Sequence, residues 1–155
     1  MICLSAVVCL VLLATVTATE VKPCPGRSAD GLSESVTLIP CKRTPCRLKK
    51  GTEQHIKVEF TPERQINELK NHVTAAVFGV NLPFVGVDGN SICDKIFTES
   101  GKKASCPLQS GTKYIYKDSF PILEFYPNLD LKVHWALQDG IKDIVCFEVP
   151  ARISS

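Results

Sequence analysis

The stretch Leu129-Asp130-Leu131-Lys132-Val133-His134-Trp135-Ala136-Leu137 alternates apolar and mostly polar residues with a period of two. Successive side chains of a β-strand point to opposite faces of the sheet, so the apolar residues at odd positions share one face. The other face carries Asp130, Lys132 and His134 and is expected to be solvated. One buried face and one solvated face are typical of an antiparallel sheet.

The same alternation recurs along the chain between Pro, Gly and Asn residues, whereas helical periodicity is scarce. These spacings predict an all-β fold in which about seven antiparallel strands form a two-sheet sandwich. A helix of at most two turns is predicted from Thr61, with Ile66 and Leu69 on one face. The predicted strands are Leu32–Ile39, His55–Phe60, Val73–Val80, Thr112–Lys117, Leu129–Leu137 and Asp143–Val149.

The first eighteen residues have the composition of a signal peptide. Ile2 to Val16 are almost wholly apolar and uncharged, and small residues follow where a signal peptidase cleaves. We therefore predict a leader over residues 1–18, which removes Cys3 and Cys9, and a single domain over residues 19–155. An even set of cysteines in a small secreted domain predicts three disulfides. That set is Cys24, Cys41, Cys46, Cys93, Cys106 and Cys146.

Six cysteines permit fifteen pairings, and spacing alone leaves the choice open. Cys41 and Cys46 are close enough to pair locally across the turn that Pro45 favours. A bridge from Cys24 to Cys146 would tie the first segment to the last strand, a long loop worth about 4 to 5 kcal/mol.

The charge pattern argues against a nucleic-acid partner. The chain has 18 Lys and Arg against 16 Asp and Glu, a net charge of +2, and opposite charges are interspersed. A local basic cluster surrounds the loop from Cys41 to Cys46. We interpret it as a solvated surface, with contact to an anionic membrane or an acidic partner as the alternative. The cluster is Lys42, Arg43, Arg47, Lys49 and Lys50.

Catalytic signatures are missing from the sequence. It contains no G-x-S-x-G, no H-E-x-x-H and no Gly-rich phosphate loop. His55, His72 and His134 have no ligand spacing, and we predict surface or structural roles for all three, with no evident partner for His72. The sequence therefore predicts no catalytic residue, no metal site, no cofactor and no enzyme activity.

Two apolar segments lie where polar connections are expected. Val80–Val87 contains turn-forming Pro and Gly but no charge, and Phe120–Pro127 is bounded by prolines that make it an expected edge strand with irregular ends. Together they predict the mouth of an apolar cavity between splayed sheets. The alternative is a solid core about 10 Å thick, which periodicity cannot distinguish. The expected walls of the cavity are Val58, Phe60, Val77, Val133 and Trp135.

An ordered set of short motifs resembles those of a known family. The set resembles the Niemann-Pick type C-2 proteins, the sterol-binding branch of the ML (MD-2-related lipid-recognition) domain family, over essentially all of residues 19–155. The motifs are Asp30-Gly31, Pro40-Cys41, Pro45-Cys46 with Leu48 and Lys50-Gly51, Gly79-Val80 with Pro83-Phe84, Cys106-Pro107, Tyr126-Pro127, Trp135 with Leu137 and Asp139, and Cys146-Phe147-Glu148-Val149-Pro150.

The resemblance implies an immunoglobulin-like sandwich and a hydrophobic tunnel between the sheets for one sterol or fatty-acid-like lipid. Phe84 matches the family's aromatic residue at the pocket mouth, and Ile122, Tyr126 and Pro127 match a second gate. The implied disulfides are Cys24–Cys146, Cys41–Cys46 and Cys93–Cys106.

The expected function is that of a secreted, monomeric lipid carrier that supports intracellular sterol transport and sterol homeostasis. Transient contact with a membrane surface or a membrane sterol transporter is expected with it. The alternatives are innate-immune recognition of microbial lipids such as lipopolysaccharide, a semiochemical carrier, and a packed adhesion module without a cavity. No N-x-S/T sequon is present, so we expect plain secretion, with the lysosomal lumen as the alternative.

Overall fold

The computed structural model describes residues 19–155, and the predicted leader over residues 1–18 lies outside them. The described chain contains eleven strands and one short helix. In chain order the elements are β1 (Lys22–Pro23), α1 (Leu32–Ser35), β2 (Val36–Ile39), β3 (Cys46–Lys49), β4 (Glu53–Phe60), β5 (Lys70–Val77), β6 (Val80–Pro83), β7 (Ile96–Thr98), β8 (Lys103–Ala104), β9 (Tyr114–Pro121), β10 (Leu129–Asp139) and β11 (Lys142–Ser154).

The strands form two sheets, which confirms the predicted all-β sandwich. The first sheet has the order β1-β11-β10-β5-β6, and β3 also pairs with β11; the second has the order β2-β4-β9-β7-β8. The strand count exceeds seven because several edge strands are only two to four residues long. The pairing of β3 with β11 is parallel, whereas all other strand pairs in residues 19–155 are antiparallel.

The alternation that predicted β10 is reproduced by its burial. Leu131, Val133, Trp135 and Leu137 are all buried. Ala136, on the opposite face, is also buried, because it lies beneath the Cys24–Cys146 disulfide. The three disulfides implied by the resemblance are confirmed: they are Cys24–Cys146, Cys41–Cys46 and Cys93–Cys106.

The predicted strand Leu32–Ile39 is shorter in the structure. Gly31 adopts a left-handed conformation with φ 68° and Leu32–Ser35 form one helical turn, which Ser35 Oγ supports by donating to Leu32 O at 2.9 Å. β2 begins only at Val36, where the alternation of buried and exposed side chains begins. Gly31 readily adopts positive φ and starts the helical turn, so the strand begins four residues later than predicted.

The predicted helix from Thr61 is wrong. Ile66 instead forms an antiparallel bridge with Leu108, and the Ile92 N–H donates to Leu69 O at 2.9 Å. Both side chains are fully buried. Tertiary pairing of the backbone therefore outweighs the local capping signal around Thr61 and Pro62.

The predicted edge strand Phe120–Pro127 is also wrong. Phe120 and Pro121 are the last residues of β9, which lies between β4 and β7 rather than at an edge. The residues that follow leave the sheet, and the Tyr126 N–H donates to Leu123 O at 3.2 Å in a turn. Pro121 ends the strand because it has no N–H to donate.

A buried amide connects the two sheets. Asn71 on β5 is 2% exposed and accepts a hydrogen bond at 3.1 Å from the Trp135 indole N–H on β10. Its Nδ2 donates at 2.8 Å to the Tyr116 hydroxyl on β9, in the other sheet. The Tyr116 hydroxyl then donates at 2.8 Å to Asp118, and burial raises the pKa of this phenol well above its usual range.

We expect Asn71→Ala to lower the free energy of unfolding by about 2 to 3 kcal/mol, because the buried Trp135 N–H loses its acceptor and the Tyr116 hydroxyl loses a donor. Urea denaturation of the oxidised protein measures the change. The matched control is Asn128→Ala at an exposed position, with an expected change below about 0.5 kcal/mol. Equal losses in the two variants would contradict the role of this amide.

Candidate functional site

An open apolar groove of about 430 Å³ lies at one end of the sandwich. Strands β5, β6, β10 and β11 and the loop between β9 and β10 contribute its walls. Among the described residues that line it, none carries a charge. They are Ala75, Val77, Phe78, Leu82, Pro83, Phe84, Val85, Tyr126, Pro127, Leu129, Leu131 and Ile153.

A tight hairpin builds one wall of the groove. Val77 pairs with Val80, so Phe78 and Gly79 form a two-residue turn between β5 and β6. Both have positive φ, 49° and 79°, the pattern that such turns need and that Asn-Gly supplies most easily. Phe78 is a bulky residue in this conformation, which costs free energy, and its ring is 94% exposed beside the groove.

Phe84 forms the inner wall of the groove. Its side chain is 6% exposed, and its backbone N–H donates to Val73 O at 2.9 Å, which fixes it beside β5. Its ring lies 5.9 Å from the Tyr126 ring and 5.6 Å from the Phe120 ring, measured between centroids. The two apolar segments of the sequence therefore meet at Phe84. Burial also raises the pKa of the Tyr126 phenol.

A small void lies between the sheets on the other side of Phe84. Phe84 lines both this void and the groove, so its ring separates them. The void measures about 20 Å³, and Phe120, Val133 and Trp135 also line it. The structure thus does not show the hollow interior expected from the sequence, because aromatic and aliphatic side chains fill the described sandwich.

The predicted site residues fall into three groups. Val77, Phe84, Tyr126 and Pro127 line the groove, whereas Val133 and Trp135 line the void behind it. The other three lie elsewhere. Val58 is completely buried in the core, Phe60 borders a charged groove near Arg27 and Glu59, and Ile122 is buried beside the groove loop.

Ile122 acts as an anchor for the loop that carries Tyr126. Its backbone N–H donates to Thr52 O at 2.9 Å, and its carbonyl accepts from the Gly51 N–H at 2.7 Å. Gly51 has φ 71°, and a Cβ there would collide with the Glu124 carboxylate. The Glu124 side chain is exposed and can move aside, so the positive φ is the stronger reason why glycine follows Lys50 in the motif.

Sequence reasoning missed several residues of the groove. Leu82 and Val85 belong to the apolar segment that it identified, but they were not singled out. Phe78 could have been identified as a groove residue, because an aromatic side chain at a hairpin turn has no sheet face to pack against. Leu129, Leu131 and Ile153 continue the apolar faces of β10 and β11 into the groove.

The histidines were predicted to have surface or structural roles. The sequence showed no evident partner for His72, but in the structure its Nδ1 lies 3.2 Å from Asp88 Oδ1. His134 lies beside the Cys24–Cys146 disulfide and 3.5 Å from Glu148 Oε1. The two cysteines are not thiolate ligands, since their sulfurs are bonded to each other.

Comparison with known proteins identifies the family. The family model described as "ML domain" matches residues 18–153. The chain belongs to the ML domain family. Mouse "NPC intracellular cholesterol transporter 2" is 30% identical to it over 150 residues, which cover 94% of this chain and 95% of that protein. The pig protein of the same name is 32% identical over 129 residues, 83% of this chain and 81% of that one.

A solved structure shows the same fold for this ML domain. It is the crystal structure of a Niemann-Pick type C2 protein from Japanese carpenter ant, with a TM-score of 0.66 and 24% sequence identity. The match covers 77% of this chain and 89% of that one. Among the residues described here, no helix has the length and apolar character needed to span a membrane.

We expect Phe84→Ala to lower the free energy of unfolding of this ML domain by about 3 to 5 kcal/mol, because truncation joins the groove to the inner void and removes the ring contacts with Phe120 and Tyr126. Urea denaturation measures the loss. The neighbouring Val85→Ala, at an exposed side chain, is the control and should cost less than about 0.5 kcal/mol. A loss as small as that of the control would show that Phe84 is not a packed wall.

We expect Phe78→Asn to raise the free energy of unfolding by about 1 kcal/mol, because asparagine accepts positive φ more readily than phenylalanine. Thermal unfolding measures the gain. Phe125→Asn is the control, since Phe125 is 76% exposed and lies outside the turn. A stabilisation no larger than that of the control would contradict strain at Phe78.

Proposed function

We propose that this ML domain is a non-enzymatic carrier that takes up one sterol or fatty-acid-like lipid. The ligand enters the apolar groove and extends past Phe84 into the space between the sheets. The observation that carries the proposal is the double position of Phe84, whose ring is the common wall of the groove and the inner void. The names of the relatives, which are cholesterol transporters, support a sterol.

The size and polarity of the groove fit such a ligand. Its volume of about 430 Å³ lies within the range of about 300 to 1,000 Å³ typical of small-molecule sites. Burying about 300 to 400 Å² of apolar ligand surface at about 25 cal/mol/Å² yields roughly 8 to 10 kcal/mol. The ligand loses translational and rotational freedom on binding, which reduces this gain. The remaining free energy corresponds to micromolar or tighter affinity.

Uptake requires that the interior expand, because the inner void is far smaller than a lipid. A chain of aromatic rings leads inward from Phe84: the ring of Phe120 lies 5.3 Å from that of Trp135, which stacks at 6.4 Å on Phe147. These ring contacts are apolar, so a ligand's apolar surface can replace them while the Trp135 indole N–H keeps its hydrogen bond to Asn71. Phe84 rotates inward or outward as the gate, and Tyr126 offers its hydroxyl to the polar end of the ligand.

Delivery uses the exposed apolar rim of the groove. Phe78, Leu82 and Val85 are exposed large side chains that line the groove, and the exposed ring of Phe125 lies 5.2 Å from the ring of Tyr126, measured between centroids. Neighbouring exposed apolar side chains of this kind are typical of interaction surfaces. This rim would touch a membrane surface or a membrane sterol transporter while the lipid passes. In this proposal the protein is secreted, acts as a monomer and catalyses no reaction.

Trp135 is the chain's single tryptophan, and it reports on ligand entry because it lines the inner void. We expect dibrominated stearic acid, whose bromines quench tryptophan only near contact, to quench Trp135 at micromolar concentrations. Added cholesterol should reverse the quenching by competition. Stearic acid without bromine is the control. Absence of quenching at saturating brominated lipid would overturn uptake into the sandwich.

A pair of neighbouring alanines provides the matched variants. Ala75 lines the groove, whereas Ala76 lies on the opposite, outer face of β5. Ala75→Phe fills the groove and should weaken the quenching affinity at least tenfold, while Ala76→Phe should change it less than twofold. Equal affinities in the two variants would mean that the ligand does not enter through this groove.

A further inference from the structure

A second concave surface, the basic groove, is built around β3 and the end of β11. It measures about 680 Å³, and its charged lining residues are Lys42, Arg43, Arg47, Lys49 and Arg152. All of the charge in this lining is positive, although the whole chain carries a net charge of only +2. A concave surface lined by one sign of charge concentrates its field and attracts ligands of the opposite sign.

The parallel pairing of β3 with β11 places two arginines at neighbouring positions of the sheet. Arg47 is the direct partner of Arg152, while the next pair, Ile153 with Leu48, is buried. The alternation of side chains therefore points both arginines to the outer face. Like charges directly opposite each other on neighbouring strands destabilise a sheet. Asp130 compensates the charge of Arg152, whereas the charge of Arg47 has no carboxylate partner among the described residues.

Most of this charge has no partner within the protein. Arg152 pairs with Asp130 on β10, on the side away from β3. Arg47 directs its Nε to the Ser154 hydroxyl at 3.2 Å, which supplies no negative charge. Among residues 19–155, no carboxylate lies within salt-bridge distance of Lys42, Arg43, Arg47 or Lys49.

The frame that carries these side chains is held in place. Cys41 and Cys46 close a short loop through their disulfide, and Pro40 and Pro45 line the groove with restricted backbones. β3 is fixed to β11 over four consecutive residue pairs. The basic side chains therefore project from a rigid base, so an anion bridging them pays little to order the backbone.

We propose that the basic groove is a binding site for phosphate groups. Arginine presents a planar fork that binds phosphate oxygens in pairs, and Arg43 and Arg47 line the groove without a carboxylate partner in residues 19–155. The fork of Arg152 is already bound by Asp130, so Arg152 adds positive charge at the edge of the site. The bound phosphate supplies the counter-charge that Arg43 and Arg47 lack. Lys49, two residues along β3, lies on the same face and extends the site towards a second phosphate group.

The phosphate has two chemical sources, a soluble polyphosphate or the headgroup of an anionic lipid. Neither depends on the apolar groove, so this inference stands or falls apart from lipid uptake. Ile153 lines the apolar groove, whereas Arg152 and Ser154 line the basic groove. The two grooves thus lie on opposite faces of the same strand.

The test compares two double variants with identical loss of charge. Arg47→Gln with Lys49→Gln removes two cations from the basic groove, and Lys102→Gln with Lys103→Gln removes two exposed cations elsewhere. Isothermal titration with inorganic tripolyphosphate at low salt measures binding. We expect the groove variant to bind at least tenfold more weakly than the natural protein, and the control variant within twofold of it.

Vesicles distinguish the sources of phosphate. Sedimentation with phosphatidylcholine vesicles that contain phosphatidic acid should retain the natural protein and the control variant but not the groove variant if the ligand is a headgroup. Binding of tripolyphosphate without vesicle retention assigns the site to soluble phosphates. Failure of the natural protein to bind either probe, or equal weakening in the two double variants, would overturn the proposal.

Thermal unfolding separates loss of binding from loss of folding. Without phosphate, the groove variant should unfold close to the temperature of the natural protein, because neither Arg47 nor Lys49 forms an ion pair among the described residues that the change would break. Tripolyphosphate should raise the unfolding temperature of the natural protein more than that of the variant. Arg43→Gln, in the exposed loop, is a second variant and should also weaken binding while leaving β3 unchanged; full affinity in it and in the groove variant would contradict the site.

Discussion

The hydrogen bonds of Asn71 constrain the spacing of the two sheets. This amide is buried, so each of its polar atoms needs a partner, and the partners come from different sheets: Trp135 in its own sheet and Tyr116 in the other. A change in sheet separation at this point would leave buried donors and acceptors unpaired, at a cost of about 1 to 3 kcal/mol for each. The sandwich is therefore held at a fixed width where Asn71 lies.

The groove end has no such constraint. Val77, at the groove, is six residues from Asn71 along β5, or about 20 Å. There the side chains of Phe84, Phe120 and Tyr126 contact one another through their rings, with no side-chain hydrogen bond among these three. Apolar contacts accept a ligand as a substitute, whereas buried hydrogen bonds do not. The hydrogen bonds around Asn71 thus favour a rigid region, whereas the apolar contacts at the mouth are of a kind that a ligand can replace.

The sequence predicts strands that show alternation with a period of two. It misses features that depend on pairing between residues far apart in the chain. The strands at His55–Phe60 and Leu129–Leu137 are recovered because alternation reports a buried face directly. The helix from Thr61 fails because the backbone of Ile66 pairs with Leu108, which no local pattern reveals. Whether the interior is hollow also escapes the sequence, since Val133 and Trp135 face inward in a filled sandwich and in an open one alike. The apolar segment Val80–Val87 was recognised from its composition, whereas Phe84 within it was singled out by the resemblance to the family.

The pairing of Arg47 with Arg152 shows a different limit. Each arginine alone is an ordinary exposed residue of a strand, and only the parallel register between β3 and β11 makes them neighbours. The same register buries Leu48 and Ile153, so the strands cannot shift by one residue to separate the charges without exposing the apolar pair. Apolar burial thus keeps Arg47 and Arg152 together on the outer face. Burial of Ile153 on the other face of β11 leaves the apolar groove with an uncharged lining, while the charged residues in the lining of the basic groove are all positive. The alternation of side chains along one strand therefore gives the two grooves opposite chemical character.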